Sequence, residues 1–599
     1  MSRQSFFAEL KRRNVYRAAV FYAASAWLLV QVATQVFPFF DVPNWTVRWI
    51  VIAVVIGFPF ALLFSWFYEW TPQGIVRESK VATDASITRQ TGKKLDRWII
   101  AVLALAVVLL LTNQFVLHKD VNEVTAALAS APAPDQSIAV LPLSNESGDK
   151  DQQYFSDGLS ENLIVALSQF SGLKVIGRNS AFQFRDSKDD SKTIGAKLGV
   201  ATLLEGSVQH AGDAVRISAE LIRAADGSTL WTQRYDRSYK DLFALQDEIT
   251  QAVAAALKAK LLTNDAAAAQ TDRPPSGNLD AYSAYLQGKF YFARSSEADW
   301  RKALEQYATA TRIDPRYALA WAASAHAAGW LAGVYLGGAE AQRVNARARA
   351  DLDTALKLEP NLAAAHEVHG ELLMALDFDW SGAELEFHRA LQLEPNNSDA
   401  LENLGVLRAA HGQPEQAIEL VRQSLLTDPL RPGGYLLLSR FFASLGRLDE
   451  AEQAIRKAIA LQPASGVFDA GLVEIEIQRG DAVAALATAE RTLPGLWQDY
   501  ALAMARQIGN DHTAADAALK LVIDKYAEGM AFQIAEVYAL RKDPDNVFRW
   551  LDRAWTNRDT GLEFLLVNPF ILRHRDDPRF ATFCSKIGLP ATTTAKALP

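Results

Sequence analysis

A chain of 599 residues exceeds one ordinary core, so several domains are expected. Half of it is hydrophobic and 22% is charged, a folded and not a disordered balance, and a net charge of −8 leaves no basic stripe for nucleic-acid phosphates. The single cysteine, Cys584, excludes an internal disulfide and a Cys-based zinc cage.

Residues 1–17 form a basic tail carrying Arg3, Lys11, Arg12, Arg13 and Arg17. Three apolar segments follow, 18–40, 46–68 and 98–117, each matching the ~20 residues that a spanning helix needs. Arg77, Lys80, Arg89, Lys93, Lys94 and Arg97 crowd the loop between the second and third segments, whereas the 41–44 connection carries no basic residue. By the positive-inside rule these are three transmembrane helices of a bacterial inner membrane, with the N-terminus cytoplasmic and residues after about 118 periplasmic. Residues 118–135, rich in small residues and holding Pro132 and Pro134, read as a semi-extended linker.

Residues 136–262 carry an α/β pattern. "SIAVLPL" is a buried-strand signal, and Leu159, Leu163, Ile164 and Leu167 after it form a helical stripe, for which Asp157 is placed as the N-cap. "LKVIG" reads as a second strand. "TLLEGSVQHAGDAVRISAELIRAADGSTLWTQRYD" alternates as three strands with turns at His210 to Asp213 and at Asp226-Gly227. Leu242, Leu245, Ile249, Val253 and Leu257 then lie on one face of a closing helix. The predicted order is strand, helix, strand, short helix, three strands, helix.

These segments together, with "LFALQDEI" after them, resemble the TolB-like amino-terminal domain, related to the FlgO family, of bacterial multidomain proteins. The resemblance implies a compact mixed sheet, a following tetratricopeptide array, and no catalytic residues. In relatives the domain is preceded by a winged helix, a cyclase or a kinase. Here neither the N-terminal tail nor the 69–97 loop has room for such an effector.

A repeat occupies 278–495. Pro315, Pro360, Pro395, Pro429 and Pro463 are 45, 35, 34 and 34 residues apart. Gly412, Gly446 and Gly480 keep the 34-residue interval, as do Ala383, Ala417, Ala451 and Ala485, and Ala390, Ser424 and Ala458. Several registers on one period indicate tetratricopeptide repeats, pairs of antiparallel helices with small residues at the crossings, Gly at the turn and Pro beyond the second helix. The long first interval predicts an extended helix or loop within "AHAAGWLAGVYLGGAEAQRVNARA". Residues 496–599 read as degenerate repeats and a C-terminal cap, with Cys584 as a small core residue beside Phe580 and Phe583.

The fold class is therefore multidomain: three transmembrane helices, a small mixed-sheet α/β domain and an all-α solenoid. Catalytic motifs such as HExxH, GxSxG and the P-loop are absent from the sequence. His366 and His369 share a helical face but fall at packing positions of the repeat. No catalytic residue, metal or cofactor is assigned, and the chain reads as non-enzymatic. Glu367, Glu371, Asp399 and Glu402 fall on the first helices of their repeats and mark a candidate peptide-binding groove with a negative field, suited to a protein partner with a basic or amphipathic segment. The function expected is a membrane-anchored envelope scaffold. The alternative is the sensory part of a signalling system acting through a separate cyclase or transcriptional regulator.

Overall fold

The computed structural model describes residues 133–258, 260–261, 272–294, 296–336 and 338–598, with strand residues 68–71 and 74–77 and the single residues Tyr22, Ala26 and Phe58. The chain divides into two compact units, Met1–Ala131 and Pro132–Pro599. In the first, β1 (Tyr68–Thr71) and β2 (Gly74–Arg77) pair antiparallel, Tyr68 opposite Arg77.

The expected spans 18–40, 46–68 and 98–117 otherwise lie outside the described residues, and Tyr68, the last residue of the second, opens a strand. Among the described residues no helix is long and apolar enough to cross a membrane, which would take ~20 apolar residues. That finding corrects the expected multi-pass inner-membrane architecture, and the periplasmic placement built on it loses its support.

The second unit begins with the α/β domain. β3 (Ser137–Val140) runs parallel to β6 (Lys174–Val175) and to β7 (Thr202–Ala211). The sheet continues antiparallel through β8 (Ala214–Arg223) and β9 (Thr229–Ser238), giving the order β6-β3-β7-β8-β9. β4 (Ser144–Asn145) pairs with the far end of β7, and β5 (Phe170–Ser171) pairs with β10 (Lys260–Leu261). Alternation explains the strands: along β8, Val215, Ile217, Ala219 and Leu221 are buried and Arg216, Ser218 and Glu220 are not. Gly212 and Gly227 supply the left-handed backbone of the two hairpin turns, at φ 58° and 70°.

α1 (Gln153–Ser168) and α4 (Leu242–Ala256) lie together on the sheet, with the short α2 (Arg178–Ala181) and α3 (Ser191–Leu198) in the crossover to β7. Asp157 is not the cap of α1. It lies in the second turn, where its carboxylate accepts from Arg185 Nη2 at 2.7 Å and Gln153 Nε2 at 2.8 Å. Gly158 beside it serves a close helix crossing, because a Cβ there would stand 2.4 Å from Leu286 Cδ1.

Leu286 belongs to the first of eight antiparallel helix pairs among the described residues. They are α5 (Leu279–Phe292) with α6 (Glu297–Ile313), α7 (Ala318–Tyr335) with α8 (Gly338–Leu358), α9 (Ala363–Leu372) with α10 (Trp380–Leu393), and α11 (Ser398–Ala410) with α12 (Pro414–Thr427). The stack goes on through α13 (Pro432–Ser444) and α14 (Leu448–Leu461), α15 (Gly466–Gln478) and α16 (Ala482–Arg491), α17 (Leu496–Arg506) and α18 (His512–Tyr526), and α19 (Ala531–Leu540) and α20 (Pro544–Asn557).

Each register of the 34-residue period has a physical counterpart. Gly412, Gly446 and Gly480 make the intra-pair turns at φ 72°, 73° and 74°. Ala383, Ala417, Ala451 and Ala485 are fully buried where helices cross. Pro315, Pro360, Pro395, Pro429 and Pro463 each stand two residues beyond a second helix. The irregular first interval is taken up by α7 and α8, lengthened to 18 and 21 residues. The α9/α10 pair departs further, with a π-helical turn at Leu373–Asp377 and a left-handed Phe378.

The last segment turns back on the stack. A 3₁₀ stretch, Thr560–Val567, packs on α11 and touches α13 and α19, and a shorter one, Ile571–His574, leads to α21 (Pro578–Lys586). Trp380 Nε1 donates to Ile587 O at 2.8 Å, Thr594 N to Gly412 O at 3.2 Å, and Lys596 N to Ser444 O at 2.6 Å. Phe378 stacks on Trp555 at 5.1 Å, so the third pair meets the eighth and the solenoid closes on itself. The α/β domain joins the same body: Gly177 N donates to Thr427 O at 2.7 Å and Ser180 N to Asp428 Oδ1 at 2.7 Å.

Candidate functional site: the concave face

First helices of successive pairs pack on one another, α7 on α9, α13 on α15, α15 on α17 and α17 on α19, whereas each second helix leans on the next first helix. The odd-numbered helices therefore form the inner, concave row.

Its N-terminal half holds all four predicted groove acids. Glu367 and Glu371 project from α9, Asp399 and Glu402 from α11. Glu367 and Glu402 are buried, and the Asp399 side chain is 55% exposed. They are not left as bare charges. Arg431 pairs with Asp399 and, at 3.0 Å, with Glu402 Oε2; His326 of α7 stands 3.2 Å from Glu371 Oε2. Asn403 Nδ2 donates to Glu367 Oε1 and to Glu371 Oε1, both at 3.1 Å.

Burial, reinforced by Glu371, pushes the Glu367 carboxyl well above the usual carboxylate range. Burial likewise carries Glu402 up to about 7 against the pull of Arg431. His326 is disfavoured as a cation by burial, but Glu371 outweighs this and holds its pKa at about 9. Arg431 and His326 thus stand among the four acids, so the face carries both signs of charge.

His366 and His369 both address one carboxylate, with Glu386 Oε2 2.5 Å from His366 Nδ1 and Glu386 Oε1 3.2 Å from His369 Nδ1. Among the described residues no group of three or more His, Cys, Asp or Glu side chains could hold a metal ion. Cys584 is buried, and burial raises its thiol to about 11, out of reach of thiolate chemistry near neutral pH.

The C-terminal half of the concave row holds a second feature, a cavity of about 230 Å³ beneath Thr560–Val567. Arg440 from α13, Glu474 from α15, Tyr500 from α17 and Glu536 from α19 reach its walls. Sequence reading passed over these residues, although a signal existed: Arg440 and Glu474 are separated by 34 residues and so repeat the same inner position in adjacent pairs.

Residues 387–419 and 407–466 match two tetratricopeptide-repeat families. The helical stack is a tetratricopeptide-repeat solenoid. Residues 134–252 match the family described as HilA/YgeH-like transcriptional regulator, second domain. The TolB-like resemblance is not shown by this match.

A protein named Putative adenylate cyclase 3 from Rhizobium meliloti (strain 1021) is 34% identical over 335 residues, 55% of this chain and 44% of that protein. The Small glutamine-rich tetratricopeptide repeat-containing protein 2 of Mycosarcoma maydis is 29% identical over 115 residues, 19% of this chain and 33% of that one. The chain therefore spans less than half the length of either relative. The crystal structure of PilW, a type IV pilus biogenesis factor, is similar at 18% identity and a TM-score of 0.27, covering 42% of this chain and 94% of that chain.

Proposed function

We propose that the chain is a non-enzymatic interaction protein whose repeats hold a segment of a protein partner along the N-terminal half of the concave face. The observation that carries this is the row of acids on α9 and α11, of which Asp399, 55% exposed, and Glu371, 18% exposed, stand nearest the lip while Glu367 and Glu402 are buried in the wall. A basic or amphipathic segment would share these carboxylates with His326 and Arg431. Because both acids already have partners, each contributes no more than a rim charge, about 0.2–1 kcal/mol.

Lysine at Glu367 or Glu402 would strand a buried charge, so the test uses the lip. Glu371→Gln with Asp399→Asn keeps shape and removes charge. Crosslinked affinity capture with the full chain should show the partner held roughly two- to thirty-fold more weakly by this variant, and more weakly in raised salt. Unchanged recovery under both conditions would move the partner site away from this face.

A second reading is favoured by the relatives: a regulatory part that acts through a separate cyclase or transcriptional regulator. Its support is the 335-residue similarity to a protein named a putative adenylate cyclase, together with the HilA/YgeH-like match over the α/β domain. The same capture separates the two readings, since a cyclase or regulator among the partners favours the second.

A further inference from the structure

The cavity beneath Thr560–Val567 is lined by groups that the repeat architecture leaves unfinished. Arg440 lies with its guanidinium 4.7 Å from the centroid of Phe564, and its N–H groups make no hydrogen bond with any described residue. Gln478 and Gln533 on the same wall are equally without side-chain hydrogen bonds among the described residues.

Across the cavity Tyr500 Oη is 3.1 Å from Glu474 Oε1 and 2.8 Å from Glu536 Oε2. A hydroxyl carries one proton, so it can donate to only one of the two carboxylates. Asn568 serves the other Glu536 oxygen, which leaves Glu474, half-buried on the cavity wall, as the acid still short of a donor. Trp497, Phe532 and Phe564 close the space with aromatic surface.

We infer that this cavity binds a small zwitterion, an α-amino acid or a molecule of the same charge pattern, with its carboxylate on Arg440 and its ammonium between Glu474 and Tyr500. The mixture of charges selects this class. A bare cation would meet Arg440, and a bare anion would meet Glu474 and Glu536, whereas a zwitterion satisfies both ends and lays its apolar part against Trp497 and Phe564. Size agrees: an engineered cavity of ~150 Å³ holds benzene, so this one suits roughly ten non-hydrogen atoms and not a peptide of several residues. Burial raises the Glu474 and Glu536 carboxyls, and an ammonium placed against Glu474 would favour its charged form. The inference does not depend on the partner site on the lip.

The test is calorimetric titration of the full chain with L-leucine, L-methionine, L-histidine and L-phenylalanine. For L-phenylalanine, phenethylamine (no carboxylate) and 3-phenylpropionate (no ammonium) are added. At least one amino acid should bind, and each one-charge analogue should bind roughly ten-fold or more weakly than its parent. Arg440→Gln should make L-phenylalanine bind like phenethylamine, and Glu474→Gln like 3-phenylpropionate. The inference is overturned by absence of binding at millimolar amino acid, by an analogue equal to its parent, or by unchanged affinity in both variants. Where a variant fails to fold, the analogue series on the unaltered chain decides alone.

Discussion

The three turn glycines offer an internal control on the C-terminal tail. Gly412, Gly446 and Gly480 share φ values of 72°, 73° and 74°, so alanine at any of them costs the same left-handed strain, ~1–2 kcal/mol. At Gly480 nothing stands within 4 Å of a new Cβ, and the strain is the whole cost. At Gly412 that Cβ would meet Thr593 Cβ at 2.7 Å and Thr592 O at 2.8 Å. The tail must lift, giving up the hydrogen bonds from Thr594 N and Thr593 Oγ1 to Gly412 O, both 3.2 Å, each worth about 1 kcal/mol. Gly412→Ala should therefore cost about 2 kcal/mol more than Gly480→Ala. Gly446→Ala should resemble Gly480→Ala, because its nearest neighbour, Lys596 Cδ at 3.2 Å, is the flexible middle of a long side chain. The order of denaturation midpoints, with hydrogen exchange at the Thr594 and Lys596 amides, reads the difference. Equal midpoints for Gly412→Ala and Gly480→Ala, with those amides still protected, would refute the reasoning.

Three further outcomes are expected. Glu402 and Glu563 rise from 4.5 to about 7 and about 8 through burial, so the folded chain holds more protons than the unfolded one, and their contribution falls as pH rises from about 4.5 to 8; Glu563→Gln should flatten that fall in pH-dependent denaturation. Glu161 behaves oppositely. Burial disfavours its charge, yet Arg178 and Lys289 hold it down at about 2, so its contribution is present above 4.5 and lost as pH falls toward 2; Glu161→Gln should cost about 3–5 kcal/mol at neutral pH, read by denaturant unfolding. Gly158→Ala should cost about 1–3 kcal/mol through its clash with Leu286, and Leu286→Ala in the same chain should recover part of it; strict additivity in a double-mutant cycle would count against the close crossing of α1 and α5.

What could be read from sequence was what repeats or alternates. The 34-residue registers of Pro, Gly and Ala gave the helix pairs because each sits at an element end or a crossing, and the alternation of β8 gave a strand because its two faces meet different surroundings. Contacts made once were illegible. Trp380 bonds to Ile587 over 207 residues, and Phe378 stacks on Trp555, with no periodicity to announce either. The groove acids were legible as positions but not as charges, since their state depends on Arg431 in the turn before α13 and on His326 in the lengthened α7. Arg440 and Glu474 were legible as equivalent positions; only the returning C-terminal segment makes a cavity between them.

That returning segment also limits where a partner can bind. Leu562, Leu565, Leu566, Phe570, Ile571 and Leu572 are fully buried. At ~1.5–3 kcal/mol for each buried apolar side chain, the six contribute roughly 9–18 kcal/mol to holding the segment, before the entropy of ordering it is subtracted. A partner whose contacts were worth about 8 kcal/mol, enough for micromolar affinity on a preformed face, would lose all of it in displacing the segment. On the reading proposed above, such a partner would bind with the segment in place, around Glu371 and Asp399. Amide exchange across Gly561–Leu572 should then be the same with and without saturating partner, while amides of α9 and α11 at the lip slow. Release of the segment on binding would show that the closed solenoid is a gate.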